Sequence, residues 1–263
     1  DINYFSPKNG GNASKYTHSN INICPTHTAE THNFPTGICP FPGASTGVGG
    51  RIRDTVAIGR GANFVSGYAG YSVGDINNDN SEDYPYRKPL DILVEASNGA
   101  SDYGNKIGEP IILGYTRGYS GTVNNERVEY VKPIMYCGGI GSIFTSNLHK
   151  YKPILSNLIV RIGGPAYRIG LGGGSASSRN QDTDNTKLDF NAVQRGDPQM
   201  ENKVCRFVRS CFEQDINPIL SIHDQGSGGM GNVTKEIVSP NGAIISLNNV
   251  KLGDKTLSSN EIW

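Results

Sequence analysis

Short apolar runs bounded by glycine or proline alternate along the chain with stretches of helical spacing. Two of these runs, "PIILGYTR" and "KPIMYCGGIGSI", predict buried strands. Ahead of them, Leu90, Leu93 and Val94 fall on one face of a helical stretch, which predicts an amphipathic helix with that face inward. Strands mixed with helices in this way are typical of an α+β (mixed α/β) protein.

The same alternation continues after residue 150 and predicts a second domain. Its elements are a strand "SNLIVRIGG", a glycine loop over 170–178, a helix over 198–213 with Val204, Val208, Cys211 and Phe212 inward, a strand "NPILSIHD", a helix "NVTKEIV" and a strand "GAIISL". We therefore divide the chain into an N-terminal domain over 1–150 and a partial C-terminal domain over 151–263. Residues 1–27 are polar and predict a loop or a disordered arm.

The composition indicates a folded protein and argues against nucleic acid or a membrane as partner. Hydrophobic residues make up 36% and charged residues 18% of the chain. Lys+Arg and Asp+Glu both number 24, so no net field attracts polyanions. The five cysteines form no CxxC pair, which favours reduced thiols and a cytoplasmic location. The chain starts at Asp1 without methionine, and we expect a segment of a longer polypeptide.

The strongest chemical signal lies in "TAETHNFPTGICPFPGASTGVGGRIRD", residues 28–54. Its glycine-rich part, Gly43–Asp54, is not a P-loop, because no Gly-Lys-Ser/Thr follows. We interpret it as a loop whose glycine N–H groups form an anion-binding concavity, with Arg53 as a clamp on phosphate. The alternative is a tight strand-to-helix turn in which the glycines only relieve steric crowding. Spacing alone leaves both interpretations open.

Three carboxylates and one histidine are the candidate chemical groups. Glu30 and Asp54 are hard oxygen ligands of the kind that Mg²⁺ prefers beside nucleotide phosphates. Asp224, at the end of a predicted strand, is a third candidate ligand. His32 lies two residues after Glu30, so on a strand both side chains point the same way. That position makes His32 a candidate general base or electrostatic stabiliser.

Six motifs follow one another in the register of one enzyme family. They are "ETHNFPTGICPFPGASTGVGGRIRD", "ASNGASDYGNKIGEPIILGYTR", "KPIMYCGGIGSI", "GGPAYRIGLGGGSASS", "DFNAVQRGDPQMENK" and "NPILSIHDQGSGGMGN". From about residue 28 to residue 263 the chain closely resembles the phosphoribosylformylglycinamidine synthases, in their large eukaryotic-type multidomain form. The resemblance implies an aminoimidazole-ribonucleotide-synthetase-like sheet domain packed on a partial C-terminal α/β domain.

The resemblance also implies an ATP-dependent C–N ligase of purine biosynthesis. Formylglycinamide ribonucleotide, ATP and glutamine give formylglycinamidine ribonucleotide, ADP, phosphate and glutamate. ATP phosphorylates the formamide oxygen, and ammonia from a glutaminase domain then displaces the phosphate. We expect Mg²⁺ as the cofactor. We also expect the glutaminase and the other half of a pseudo-dimer to lie outside this chain. When that half is absent, a second copy of this chain is expected to take its place. The chain alone is expected to be inactive.

Each role is carried over by position in this sequence. The resemblance implies metal ligands at Glu30, Asp54 and Asp224, and a catalytic histidine at His32. Substrate contacts match Thr31, Asn33, Phe34, Arg53 and Gln194. Nucleotide contacts match Gly43, Ala44, Ser45, Thr46, Gly47, Val48, Gly49, Gly50, Arg51, Ile52, Arg53 and Asp54, with a further contact at Leu113, Gly114 and Tyr115.

Two positions depart from the bacterial pattern of this family, and two other functions stay open. Phe34 stands where the bacterial pattern has a second histidine, and Thr28 where it has a lysine. One alternative is another ATP-binding member of the superfamily, similar to aminoimidazole ribonucleotide synthetase, against which "ETHNFPTG" argues. The other is a non-catalytic binding module that keeps the fold.

Overall fold

Within the residues that the structure describes, every strand lies before residue 145. The computed structural model describes residues 1–8, 13–78, 80–179 and 186–263. The strands are β1 (Ile2–Pro7), β2 (Tyr16–Ile21), β3 (Ile23–Thr31), β4 (Asn63–Val73), β5 (Ile111–Gly118), β6 (Ser120–Val123), β7 (Glu126–Glu129) and β8 (Ile134–Phe144). The helices are α1 (Asn33–Ile38), α2 (Pro40–Val56), α3 (Pro89–Ile107), α4 (Gly173–Ser177), α5 (Thr186–Ala192), α6 (Pro198–Phe212), α7 (Gly229–Val238) and α8 (Ser259–Ile262). This is the mixed α/β fold that the sequence predicts.

Four strands form one mixed sheet in the order β3-β8-β4-β5. Strand β8 pairs antiparallel with β3 and β4, and β5 pairs parallel with β4. The register places both Glu30 and Ala69 opposite Cys137. Because directly paired residues point to the same side of a sheet, Glu30 shares the face of the buried residues Ala69 and Cys137.

Helices α2, α3 and α6 cover that face and form the main hydrophobic core with it. The core consists of Ala44, Val48, Ile52, Val56, Ala69, Tyr71, Ala96, Ala100, Tyr103, Ile107, Met135, Cys137, Cys205, Val208 and Phe212. Helix α6 confirms its prediction, because Val208, Cys211 and Phe212 are buried. Since the core takes residues from both sides of residue 150, the two-domain division stays a prediction. No helix in the described ranges combines the length and the apolar character that crossing a membrane requires.

Among the described residues, no helix packs on the opposite side of the sheet. We call it the open sheet face, and it consists of Tyr68, Leu113, Tyr115, Tyr136 and Ile140. Leu113 is 70% exposed and Ile140 is 49% exposed. The prediction that "PIILGYTR" is a buried strand is therefore wrong for β5, which is an edge strand. Strand β8 is central and largely buried, as predicted.

Helix α3 exists as predicted but turns a different face to the core. Of the three residues predicted to face inward, Leu90 and Val94 are exposed and Leu93 is partly buried against the core, whereas Ile92, Ala96 and Tyr103 are buried. Small residues decide this orientation, because they let α3 approach α2 closely. A Cβ atom at Gly99 would overlap the backbone of Phe41.

Four further predictions, for the N-terminal arm and for three strands after residue 150, differ from the structure. Residues 2–7 and 16–21 form an antiparallel hairpin, and β3 begins at Ile23, so the N-terminal part is not an arm. Beyond residue 144, the described residues of "SNLIVRIGG", "NPILSIHD" and "GAIISL" form no strand. Several of their apolar side chains are exposed, with Leu158 at 89% and Ile244 fully so. An apolar run becomes a strand only when a neighbouring strand pairs with its backbone.

A buried ion pair lies beneath the sheet. Arg51 of α2 donates two hydrogen bonds to Glu109, from Nη1 to Oε1 at 2.7 Å and from Nη2 to Oε2. Both side chains are fully buried. The guanidinium fits only because Gly67 and Gly139 lack side chains, since a Cβ atom at either position would overlap it. The pair ties α2 to the segment that enters β5.

Candidate active site

The candidate groups meet in one cavity between the sheet-bearing half of the chain and the segments that follow it. The cavity has a volume of about 440 Å³. Its walls are formed by Glu30, Thr31, His32, Asn33, Phe34, Pro35, Thr46, Gly50, Arg53, Asp54, Lys132, Gly173, Gly174, Ser177, Ala192, Gln194, Asp224, Gly226 and Ser227. The predicted metal ligands, the predicted histidine and every predicted substrate contact are therefore neighbours in space.

The glycine-rich segment that supplies Arg53 and Asp54 is a helix, and the prediction of a loop is wrong. Residues 43–54 lie inside α2, which begins at Pro40, so their N–H groups are used in helical hydrogen bonds. An anion-binding concavity of free N–H groups cannot form there. The alternative interpretation, a strand-to-helix turn, is equally absent from these residues.

The glycines of α2 instead let the helix pack closely on its neighbours. A Cβ atom at Gly47 would lie 3.0 Å from Cβ of His32, and one at Gly50 would lie 2.9 Å from Oε1 of Glu30. Glycine costs about 1 kcal/mol in a helix relative to alanine. Here it allows the helix to lie directly against the two side chains that point into the cavity.

The turn from β3 into α1 holds His32 and Asn33 in place. The backbone N–H of His32 donates to the carbonyl of Met135 at 2.8 Å, and Asn33 Oδ1 accepts from the N–H of Met135 at 3.0 Å. The ring nitrogen Nδ1 of His32 lies 2.7 Å from the carbonyl oxygen of Gly43. If Nδ1 carries the proton, it donates this bond and leaves Nε2 as an acceptor.

Burial sets the protonation of His32. Desolvation lowers the pKa of His32, the bond to Gly43 opposes this, and the positive charge of Arg53 lowers it further. The imidazole is therefore neutral near pH 7. A neutral imidazole can accept a proton from a reacting group, as a general base must.

The carboxylates in the cavity repel one another. Desolvation raises the pKa of Asp54 to about 7, the charges of Asp224 and Glu30 and a hydrogen bond with Asp224 add to this, and Arg53 opposes it. Desolvation also raises the pKa of Glu30, with Arg53 lowering it and Asp224 raising it. Such a group of acids is stabilised by a proton or by a cation.

The oxygen donors suit a divalent hard cation, although the described side chains do not surround one point as the ligands of a bound ion do. Among the described residues, no three histidine, cysteine, aspartate or glutamate side chains lie close enough together to enclose an ion. Asp54 and Asp224 are in mutual contact, whereas Glu30 acts on them through its charge. A magnesium ion typically takes only one or two protein carboxylates together with phosphates and waters, so these oxygen donors suit it.

Comparison with known proteins identifies the family. The chain is 53% identical to "Phosphoribosylformylglycinamidine synthase" from Dictyostelium discoideum over 272 residues, which cover 98% of this chain and 20% of the relative. The Homo sapiens protein of the same name is 53% identical over 90% of this chain and 19% of its own length. "Probable phosphoribosylformylglycinamidine synthase, chloroplastic/mitochondrial" from Arabidopsis thaliana is also 53% identical, over 90% of this chain and 18% of its own length.

The chain belongs to the phosphoribosylformylglycinamidine synthase family. It spans about a fifth of the length of these curated relatives. Residues 156–263 match the family "AIR synthase related protein, C-terminal domain".

Solved structures of this synthase family share the fold. "T. maritima PurL complexed with FGAR" superposes with a TM-score of 0.66 and 25% identity, over 92% of this chain and 36% of that one. "T. maritima PurL complexed with ATP" has a TM-score of 0.63 and 24% identity, over 92% of this chain and 34% of that one, and it supports the fold alone.

Some of the predicted nucleotide contacts lie away from the cavity. The side chains of Ala44, Val48 and Ile52 belong to the core, and Arg51 is held by Glu109. Ser45 hydrogen-bonds to the carbonyls of Phe41 and Gly99. Gly43 and Gly49 pack against Pro35 and Tyr103. Leu113, Gly114 and Tyr115 lie on β5, at the edge of the sheet and outside the cavity.

The structure adds cavity residues that the sequence patterns do not indicate. Lys132 brings an ammonium group, which donates to the carbonyl of Ser177 at 2.9 Å. Ser177 and Ser227 add hydroxyl groups to the same wall. Lys132 is the first residue of the motif "KPIMYCGGIGSI", but the apolar run that follows it predicts a strand and does not single out the lysine. The two serines lie inside glycine-rich motifs, in which the glycines are the more conspicuous signal.

Proposed function

We propose that this chain carries an ATP- and substrate-binding part of a phosphoribosylformylglycinamidine synthase. The reaction is the ATP-dependent conversion of formylglycinamide ribonucleotide into formylglycinamidine ribonucleotide with ammonia derived from glutamine. The observation that carries the proposal is the single cavity that joins Glu30, His32, Arg53 and Asp54 with Asp224 from the far end of the chain. The names of the relatives support the same substrate, as does the FGAR with which the T. maritima structural neighbour is complexed.

The side chains of the cavity suit the two chemical tasks of this reaction. Phosphorylation of the formamide oxygen places negative charge between nucleotide and substrate, and Arg53 and Lys132 can stabilise that charge. Attack of ammonia then releases phosphate and requires proton removal from the nitrogen. His32, neutral and lining the cavity, is the base we assign to that step.

We assign Glu30, Asp54 and Asp224 as the groups that hold Mg²⁺. When bound, the ion supplies Lewis-acid stabilisation of the transferred phosphoryl group. The elevated pKa of Asp54, about 7, follows from burial and from repulsion by Asp224 and Glu30. Asn33, Thr31, Phe34 and Gln194 line the remaining wall and are assigned to the substrate.

Partners and location complete the proposal. Ammonia comes from a glutaminase, and the open sheet face is covered by a second synthetase half or, failing that, by a second copy of this chain. The free thiols of all five cysteines suit the reducing cytoplasm, whereas the Arabidopsis relative is named for organelles.

Two variants in a full-length synthase that contains this segment test the assignment. Asp54→Asn keeps the shape of the side chain but removes one negative charge from the cation site. His32→Ala removes the base but leaves the carboxylates. Turnover should fall in both variants, by about 100-fold or more for His32→Ala. Calorimetry should show weakened Mg–nucleotide binding for Asp54→Asn and retained binding for His32→Ala.

The contrast between the variants decides the result. Normal Mg–nucleotide affinity in Asp54→Asn would refute the metal assignment. Undiminished turnover in His32→Ala would refute the base. If the unmodified full-length synthase binds nucleotide but shows no synthetase turnover, the result would favour the non-catalytic binding module.

A further inference from the structure

A buried carboxylate outside the predicted site reaches Arg53 from behind the cavity. Glu201 lies in the first turn of α6 and is 6% exposed. Its Oε2 accepts a hydrogen bond from the hydroxyl of Tyr103 and lies 3.4 Å from Nη1 of Arg53. Its Oε1 has no hydrogen-bond partner among the described residues. Burying a carboxylate with so few hydrogen-bond partners costs free energy of folding. The positive charge of Arg53 is the main interaction that offsets this cost.

The sequence of α2 makes room for this carboxylate. A Cβ atom at Gly49 would lie 2.9 Å from Oε2 of Glu201 and 2.8 Å from Cε1 of Tyr103. The glycine therefore lets a charged side chain from α6 enter between α2 and α3. This placement connects the helix at 198–212 with the cavity, although Glu201 does not line the cavity itself.

Arg53 stands between two sets of acids. Its side chain is 33% exposed and lines the cavity, where its charge opposes the raised pKa of Glu30 and of Asp54. On its other side lies Glu201. A guanidinium pairs readily with any carboxylate in reach. Without the charge of Glu201, the favourable move for Arg53 is toward Glu30 and Asp54, which would neutralise the acids assigned to the cation.

We propose that Glu201 is a positioning residue that holds the Arg53 guanidinium at the rim of the cavity and so keeps Glu30 and Asp54 free for a divalent cation. The claim that Glu201 positions the guanidinium rests on geometry alone. The claim that this leaves the acids free for a cation rests on the proposed function. Two measurements on this chain separate these claims.

The first measurement follows Arg53 directly by NMR of the arginine side-chain nitrogens, with the signal assigned by Arg53→Lys. Glu201→Gln should shift the Arg53 signal and speed rotation of its guanidinium, because a charged partner is lost. Leu188→Ala, on the exposed side of α5, is the control and should leave the signal unchanged. An unaltered Arg53 signal in a folded Glu201→Gln protein would overturn the proposal. If Glu201→Gln does not fold, Glu201→Asp keeps the charge but withdraws the carboxylate from Nη1 of Arg53, and a shift of the Arg53 signal is expected because that contact is lost.

The second measurement is the affinity for Mn²⁺, used alone as a spectroscopic substitute for Mg²⁺. Glu201→Gln should weaken binding about tenfold, and the same change in an Arg53→Gln background should have no effect. Tyr103→Phe removes a hydrogen bond without removing charge and should change the affinity less than Glu201→Gln does. Equal losses with and without Arg53 would contradict a role through that residue. Absence of Mn²⁺ binding in the unmodified chain would count against the metal assignment, while the NMR result would still decide the position of Arg53.

Discussion

The buried pair of Arg51 and Glu109 gives the sharpest prediction about stability. Glu109→Gln keeps the volume of the side chain but leaves the Arg51 guanidinium buried without an opposing charge. Removing one partner of a fully buried pair costs about 3–5 kcal/mol. The backbone at Gly67 and Gly139 lies against the guanidinium, which is fully buried, so no water hydrates it where it stands. We expect a loss in this range for Glu109→Gln.

Urea unfolding monitored by circular dichroism measures this loss. With an m-value of about 3 kcal/mol/M for a chain of this size, the midpoint should fall by about 1–1.7 M. The matched control is Asp102→Asn, which breaks the exposed pair with Lys106 and should change stability by less than about 0.5 kcal/mol. The double variant Arg51→Met, Glu109→Leu should regain most of the loss, because no buried charge remains.

Two outcomes would refute this reasoning. A midpoint shift in Glu109→Gln as small as that of Asp102→Asn would show that the buried charge is compensated in some other way. A double variant less stable than Glu109→Gln would show that the pair itself supplies the stability. The comparison requires equal m-values, because a changed slope would mean a different unfolded or intermediate state.

Three further predictions concern packing, assembly and activity. In urea unfolding, Gly43→Ala should lower the free energy of unfolding by about 1–3 kcal/mol, because its Cβ atom would overlap the Pro35 backbone. Gly50→Ala should lower it less, because its Cβ atom comes closest to the movable end of the Glu30 side chain. Equal losses in the two variants would contradict this account of packing. The chain should self-associate through the open sheet face, and light scattering at high micromolar concentration should detect this. Leu113→Asp on that face should abolish self-association, whereas Leu188→Asp on α5 should not. An unmodified chain that is monomeric at this concentration would refute the prediction. This chain supplied with ammonia, formylglycinamide ribonucleotide and ATP should form no amidine; amidine formation would show that the cavity is sufficient by itself.

The parts of the site that depend on local geometry could be predicted from the sequence. Side-chain alternation on a strand predicts that Glu30 and His32 face the same way. The structure ends β3 at Thr31 and places His32 in the turn before α1, yet both side chains line the cavity. Asp54 and Asp224 are expected companions of Glu30 by chemical type and by resemblance, and the structure brings all three to one cavity. Their meeting depends on the path of the chain over 170 residues between positions 54 and 224, which no local pattern encodes.

The errors have a common physical cause, which is that packing partners decide between local alternatives. Glycine disfavours helices, so the sequence predicts a loop over Gly43–Asp54, yet Gly47 and Gly50 are needed where α2 lies against His32 and Glu30. The buried face of α3 follows Ala96 and Gly99 rather than Leu90, because close approach of two helices favours small residues at the contact. Glu201 lies in the motif "DFNAVQRGDPQMENK", but nothing in that motif singles it out, since an acidic residue in the first turn of a helix is ordinarily a surface residue.

Helix α2 connects these observations, because consecutive residues on it serve the core and the cavity. Arg51 points inward to Glu109, while Arg53 and Asp54 reach the cavity, and Gly49 gives Glu201 its access to Arg53. A rotation of α2 that opened the ion pair would therefore also displace both cavity residues. If the helix moves as one body, Glu109→Gln should weaken Mn²⁺ binding as well as stability, even though Glu109 lies outside the cavity. Loss of stability with unchanged Mn²⁺ affinity would instead show that the two faces of α2 act independently.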